Sequence, residues 1–307
     1  MKKKQPGSPD SPAASAISRR KRCVLAIAGS DSSGGAGIQA DLRTIAAHGL
    51  HGLSVITAVT AQNSGAVASV HHVPPRQILA QLNAVFADFD IAAVKIGMLG
   101  SVAAVDTVAD YLRQAGARHI VLDPVLVASS GTALLPARGL ARLRARLIPL
   151  TELLTPNLPE AEALLGRQLR SDDDMRAAGA DLLALGARAV LLKGGHQRGR
   201  VVCDYLFAGK STTVFSHARR AGSVRGTGCT LASAIAANLA DGLEVVPAVQ
   251  SAKRYLSGAI AGGFPLGKGI GPTDHAWRFR AAGLLRPGGP SHPTPVPWPY
   301  GPNPYEG

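Results

Sequence analysis

Short runs of apolar residues alternate with longer amphipathic stretches along most of the chain. The runs at 23–28, 54–60, 92–96, 119–122, 153–154 and 189–192 are brief and rich in Val, Ile, Leu and Ala, the pattern of strands buried on both faces. Helical patterns fill 35–48, 75–89, 102–115, 134–147, 159–165, 172–185, 227–240 and 245–262. Residues 201–207 and 212–217 flank Gly209-Lys210 and predict a hairpin. This repeated strand-then-helix order predicts an α/β fold, with a mostly parallel central sheet and helices on both faces. No linker divides 22–285, so one domain is expected, and no internal repeat is visible. Residues 1–21, basic and dotted with Pro and Ser, and the Pro/Gly-rich 286–307 are expected to be disordered tails.

Composition narrows the function. The net charge of +13 over 307 residues suggests nucleic acid, but it is unevenly placed. Seven Lys/Arg against one Asp fall in residues 1–22, and three Arg against one Glu in 276–307. The middle is mildly basic and shows no cluster of cations interleaved with aromatics, so no nucleic-acid partner is expected. Three scattered cysteines, Cys23, Cys203 and Cys229, are too few for a disulfide framework or a zinc site and suit a reducing cytoplasm. No apolar run reaches membrane-spanning length, and the basic N-terminus lacks the apolar core of a secretory signal. A small-molecule substrate is the expected partner; a homodimer is compatible with the sequence, which does not determine it.

The polar and Gly-rich stretches follow the strands: 29–37, 62–63, 97–101, 123–131, 156–157 and 193–196. Ligands of open α/β sheets bind beyond the carboxyl ends of strands. Gly226-Thr227-Gly228-Cys229-Thr230 opens a helix with two glycines, which makes either an anion hole of free backbone N–H groups or an ordinary cap. The 29–37 loop fits a loose dinucleotide fingerprint, but no Asp or Glu falls between Asp41 and Asp88 to hold a ribose, and no Gly-Lys-Ser/Thr makes a Walker loop. Its backbone suits close approach to a small flat ligand. Asp41 lies one helical turn beyond Gly37, either in the site or on a solvated helix face.

Other strand ends carry chemistry of their own. Gln62 offers a donor and an acceptor suited to an amino-substituted heteroaromatic ring, although Asn63-Ser64-Gly65 is also good turn chemistry. Met98 is either core filler or packing for an aromatic ring. Asp123 at a strand end and Glu160 in the first turn after Asn157 are each unremarkable alone; together they could hold Mg²⁺ through water. Lys193 ends a buried strand, where its ammonium needs a partner such as phosphate. Lys268, in the glycine-rich 267–272, is a second cation candidate.

Taken together, the 29–39 loop with Asp41, Thr57-Ala58 with Ala61-Gln62-Asn63, Lys95-Ile96-Gly97-Met98-Leu99, Leu122-Asp123-Pro124-Val125, Thr155-Pro156-Asn157-Leu158-Pro159-Glu160, Lys193-Gly194-Gly195-His196, Gly226-Thr227-Gly228-Cys229-Thr230 and Gly267-Lys268-Gly269-Ile270-Gly271-Pro272 form eight blocks. In this order they resemble ribokinase-like small-molecule kinases, and more narrowly the hydroxymethylpyrimidine/phosphomethylpyrimidine kinase family of thiamine biosynthesis, over 23–277. The resemblance implies ATP, Mg²⁺ and two successive phosphorylations at one site. It implies a pyrimidine pocket of Gly29, Ala36, Asp41, Gln62, Met98 and Val125. Asp123, Asn157, Glu160 and Lys193 would serve nucleotide, phosphate and metal, with Asp123 and Glu160 as the Mg²⁺ carboxylates. Gly226, Thr227, Gly228, Cys229 and Lys268 would act on the transferring phosphoryl group. Ser129 stands where some relatives carry Lys. A pyridoxal-type vitamin kinase or a non-catalytic sensor on the same scaffold are the alternatives. At a helix start the Cys229 thiol is expected to ionise easily and to act as the base in the first step.

Overall fold

The computed structural model describes residues 22–127, 131, 133–195, 200–219 and 224–285. Both expected tails, His196 and Ser129 lie outside these residues. Nine strands form one sheet: β1 (Cys23–Asp31), β2 (His51–Gln62), β3 (Val67–His72), β4 (Ile91–Ile96), β5 (Ile120–Leu122), β6 (Leu153–Leu154), β7 (Ala189–Leu192), β8 (Val201–Ala208) and β9 (Ser211–Ala218). Their spatial order is β3-β2-β1-β4-β5-β6-β7-β8-β9. Strands β2 through β7 without β3 run parallel with β1, while β3, β8 and β9 add antiparallel pairings at the two edges. The sheet is therefore mixed, with a parallel centre as expected.

The helices are α1 (Gly37–Ala47), α2 (Pro75–Asp88), α3 (Val102–Gln114), α4 (Ala137–Arg142), α5 (Leu158–Leu165), α6 (Asp172–Leu183), α7 (Thr227–Ala240), α8 (Val245–Ala261) and α9 (Trp277–Ala281). Period-2 alternation in β1 sorts them into two layers. Leu25 and Ile27 pack with Ile78 and Leu82 of α2, Val105 and Val108 of α3, and Leu164 and Leu182 of α5 and α6. Val24 and Ala26 pack on the other face with Ile45 of α1, Ile235 and Leu239 of α7, and Val249 of α8. From Thr230 to Ala240 every residue of α7 is buried. Its run of Ala and Ser lets the helix lie against the strands, so its first turn arrives at the sheet's carboxyl end.

Some boundaries differ from the sequence pattern. Strand β3 was not expected because most of its residues are exposed and it carries no apolar alternation. The helix expected over 134–147 begins at Ala137, since Pro136 is the N-cap, and it widens into a π turn at Leu143–Leu147. Chain order reverses direction between β1 and β4, and such a switch point leaves a crevice at the carboxyl ends of the flanking strands.

Candidate active site

The glycine loop after β1 is organised by Asp31. Its Oδ1 accepts hydrogen bonds from the Ser33 N–H (2.9 Å) and Oγ (2.7 Å), and its Oδ2 from the Ala36 N–H (2.9 Å). Ser32 ties this loop to the end of β2: its Oγ donates to the Gln62 carbonyl at 2.7 Å and accepts from the Gln62 N–H at 2.9 Å. The backbone of Gln62 is thereby joined to the glycine loop. Gly29 and Met98 abut, since a Cβ on Gly29 would stand 3.0 Å from the Met98 sulfur.

The glycine-opened start of α7 meets the same loop. Gly226 caps α7 with φ of 79°, a left-handed conformation, and a Cβ there would stand 2.2 Å from the Gly35 carbonyl oxygen. On its other side, a Cβ on Gly228 would lie 3.1 Å from Asp123 Oδ2 and 3.6 Å from Lys193 Nζ. The Gly37 N–H bonds the Cys229 sulfur. The first turn of α7 is thus held between the glycine loop and an Asp–Lys pair.

Beside the first turn of α7, Lys193 Nζ donates to Asp123 Oδ1 at 2.9 Å, and Thr155 Oγ1 donates to the same oxygen at 3.3 Å. Burial opposes the Lys193 charge, but Asp123 and Glu160 outweigh it and raise its pKa. Asn157 and Glu160 form a reciprocal capping box at the start of α5 (2.8 and 2.9 Å). Burial pushes the Glu160 carboxyl up to about 7; Lys193 draws it back and Asp123 adds to the rise. Asp123 and Glu160 are close enough that each feels the other's charge, and a pair of carboxylates is the donor chemistry of a hard cation that keeps most of its waters. Among the described residues no group of three His, Cys, Asp or Glu side chains forms a metal cage.

Three expectations need correction: the placing of Asp41, the ionisation of Cys229 and the unity of the pyrimidine set. Asp41 is not on the pocket surface. It is fully buried beneath the hole, bound through both oxygens to Lys95 Nζ (2.7 and 2.8 Å) and through Oδ1 to Ser233 Oγ (2.8 Å). Burial works against the Lys95 charge, yet Asp41, Cys229 and Asp123 raise its pKa, so it is an ammonium. Cys229 does not ionise readily: burial pushes its thiol up to about 11, more than the Lys95 charge pulls it down. Lys268 is exposed on a strap that packs on the Asn63–Gly65 turn, where Gly269 N–H donates to Ser64 Oγ at 3.0 Å. The pyrimidine set is also divided. Gln62 lines a cavity of about 290 Å³ under the strap, whereas Met98 lines one of about 620 Å³ beside His72, Ser101 and Leu135. Ala36 and Val125 are half-buried at the ends of β1 and β5.

Asp31, Lys95, Ser233 and Arg225 are the residues that sequence reasoning missed. Lys95 carried a signal, because a cation inside an apolar strand needs a buried partner. Arg225 carried none: its partners Asn63 and Asp31 are 162 and 194 residues away.

The fold and site define a class, the α/β small-molecule kinases. Residues 31–274 match the sequence profile of the phosphomethylpyrimidine kinase family, and the chain belongs to that family. It is 49% identical over 259 residues to the hydroxymethylpyrimidine/phosphomethylpyrimidine kinase of Streptomyces coelicolor, covering 83% of this chain and 94% of that protein. It is 47% identical over 253 residues to the thiamine biosynthesis bifunctional protein ThiED of Geobacter sulfurreducens, covering 82% of this chain and 52% of that protein. A pyridoxal kinase of Bacillus subtilis, solved as an ADP complex, superposes with a TM-score of 0.79 at 35% identity, over 84% of this chain and 99% of that one.

Proposed function

We infer that this chain transfers the terminal phosphoryl group of ATP to 4-amino-5-hydroxymethyl-2-methylpyrimidine and then to the resulting monophosphate, in cytoplasmic thiamine biosynthesis. One observation carries the reading: the glycine-opened first turn of α7 lies between the Asp123–Lys193 pair and the loop that holds Gln62.

Phosphoryl transfer passes through a loose transition state, so an enzyme contributes mainly position and anion stabilisation. The N–H groups at Gly226–Cys229 meet the charge on the transferring group, at the positive end of α7. Lys193 and Asn157 hold phosphate on the donor side. Asp123 and Glu160 hold Mg²⁺, which when bound neutralises phosphate charge. Gln62 reads the edge of the aminopyrimidine from the cavity under the strap, which Ser33, Gly35 and Asn63 also line. Asp41 supports the hole from below and touches no ligand.

A coupled ADP-release assay over the pyrimidine alcohol, its monophosphate and pyridoxal tests this. Turnover is expected on both pyrimidines, with lower kcat/KM on pyridoxal. The pyridoxal arm is warranted by the likeness to the Bacillus pyridoxal kinase. ATP consumption that neither pyrimidine stimulates overturns the assignment.

A further inference from the structure

Arg225 stands one residue ahead of the anion hole and is 7% exposed. Its Nη1 donates to the Asn63 carbonyl at 2.7 Å and to Ser33 Oγ at 3.1 Å; its Nη2 reaches Asp31 Oδ2 at 3.3 Å. The backbone is fixed as well. Arg225 N–H donates to the Gly271 carbonyl at 2.9 Å, and its carbonyl accepts from Thr273 N–H at 3.2 Å. One guanidinium therefore joins the glycine loop, the turn after β2 and the strap.

The side chain also faces space. Among its described lining residues, Arg225 is the one charged group on the cavity of about 290 Å³ that Gln62, Ser33, Leu266 and Ile270 share. Its carboxylate partner is only partly engaged with it, because Asp31 already accepts three closer bonds from Ser33 and Ala36. A guanidinium has five N–H donors, and among the described residues its bonds come from Nη1 and Nη2, so donor capacity remains.

The inference rests on the functional reading above. The two acceptors differ in one property, since the second is a phosphomonoester carrying nearly two negative charges and the first is a neutral alcohol. A cation on the acceptor side is what tells them apart. Lys95 is buried and paired with Asp41, and Lys193 is paired with Asp123 on the nucleotide side. Lys268 is exposed on the strap. We propose that Arg225 recognises the phosphate of the monophosphate acceptor and so determines affinity for the second substrate. A planar fork suits a phosphate better than an ammonium does.

The experiment compares wild type with Arg225→Gln and Arg225→Lys, using purified enzyme and each acceptor separately. For Arg225→Gln, KM for the monophosphate is expected to rise by about 10- to 100-fold, the worth of one charge-assisted hydrogen bond, with KM for the alcohol changed less than about threefold. Arg225→Lys, which keeps the charge without the fork, is expected to show a smaller rise of the same selectivity. It decides the matter if Arg225→Gln does not fold. An equal rise for both acceptors, or an equal fall in kcat alone, overturns the inference and leaves Arg225 as a tie between loops. Wild-type enzyme inactive on both pyrimidines overturns the functional reading instead, which separates the two failures.

Discussion

Asp41→Asn tests the support beneath the anion hole. Both oxygens of Asp41 bind Lys95, and neither side chain has any solvent exposure. Asn keeps the shape and one acceptor but removes the charge, and its amide N–H₂ faces the ammonium donors. Lys95 is left as an uncompensated buried cation. Breaking a buried pair from one side costs about 3–5 kcal/mol. For a chain of this size that is a fall in Tm of roughly 6–20 °C. Asp41→Leu/Lys95→Met removes both charges, leaves nothing stranded, and is expected to be more stable than Asp41→Asn. Thermal melts and urea titrations of wild type, Asp41→Leu, Lys95→Met and the double give the coupling energy. A loss below about 1 kcal/mol for Asp41→Asn, or a double variant whose loss is the sum of its singles, refutes the account.

The remaining predictions concern the hole and its surroundings. Gly226→Ala forces a side chain into a left-handed conformation against the Gly35 carbonyl, so phosphoryl transfer on either acceptor is expected to fall by at least about 100-fold, measured by ADP release. Cys229→Ala is expected to slow the alcohol and monophosphate steps alike, because a thiol held up to about 11 is a poor proton acceptor at neutral pH; a loss confined to the alcohol step, measured with each acceptor separately, counts against that. Alkylation of Cys229 followed by mass spectrometry is expected to be slow at pH 8 and to accelerate towards pH 11, since burial holds the thiol up to about 11; rapid labelling at pH 7 counts against that. His275 bonds the Thr230 and Thr273 hydroxyls, and burial holds its imidazole down to about 4. The unfolded chain takes up that proton first as pH falls below about 6.5, so the fold is expected to lose about 3 kcal/mol by pH 4 from this group. Urea midpoints that fall as steeply for His275→Gln as for wild type would show the slope arises elsewhere.

Much of the framework was legible in the chain. The apolar runs of β1, β4 and β7 and the Ala-rich α7 can be read locally, because burial on a parallel sheet imposes composition and periodicity on each segment by itself. The glycine-opened helix start, the helix start at Asn157 with Glu160 in its first turn and the strand-end Gln62 were likewise visible, since helix starts and tight turns depend on a few adjacent residues. Tertiary structure alone decided which charges face which. Asp41 and Lys95 lie 54 positions apart and meet under Cys229, so a carboxylate that sequence placed against the ligand became its foundation. Burial by α1 and α7 then reversed the expected ease of ionising Cys229, because desolvation depends on everything packed around a group and helix position describes only one neighbour. Arg225 reaches Asp31 across 194 residues through the same convergence. Local periodicity reports which side of an element is buried; pairing, cavity walls and proton affinity are properties of several distant segments at once, and only the folded chain contains them.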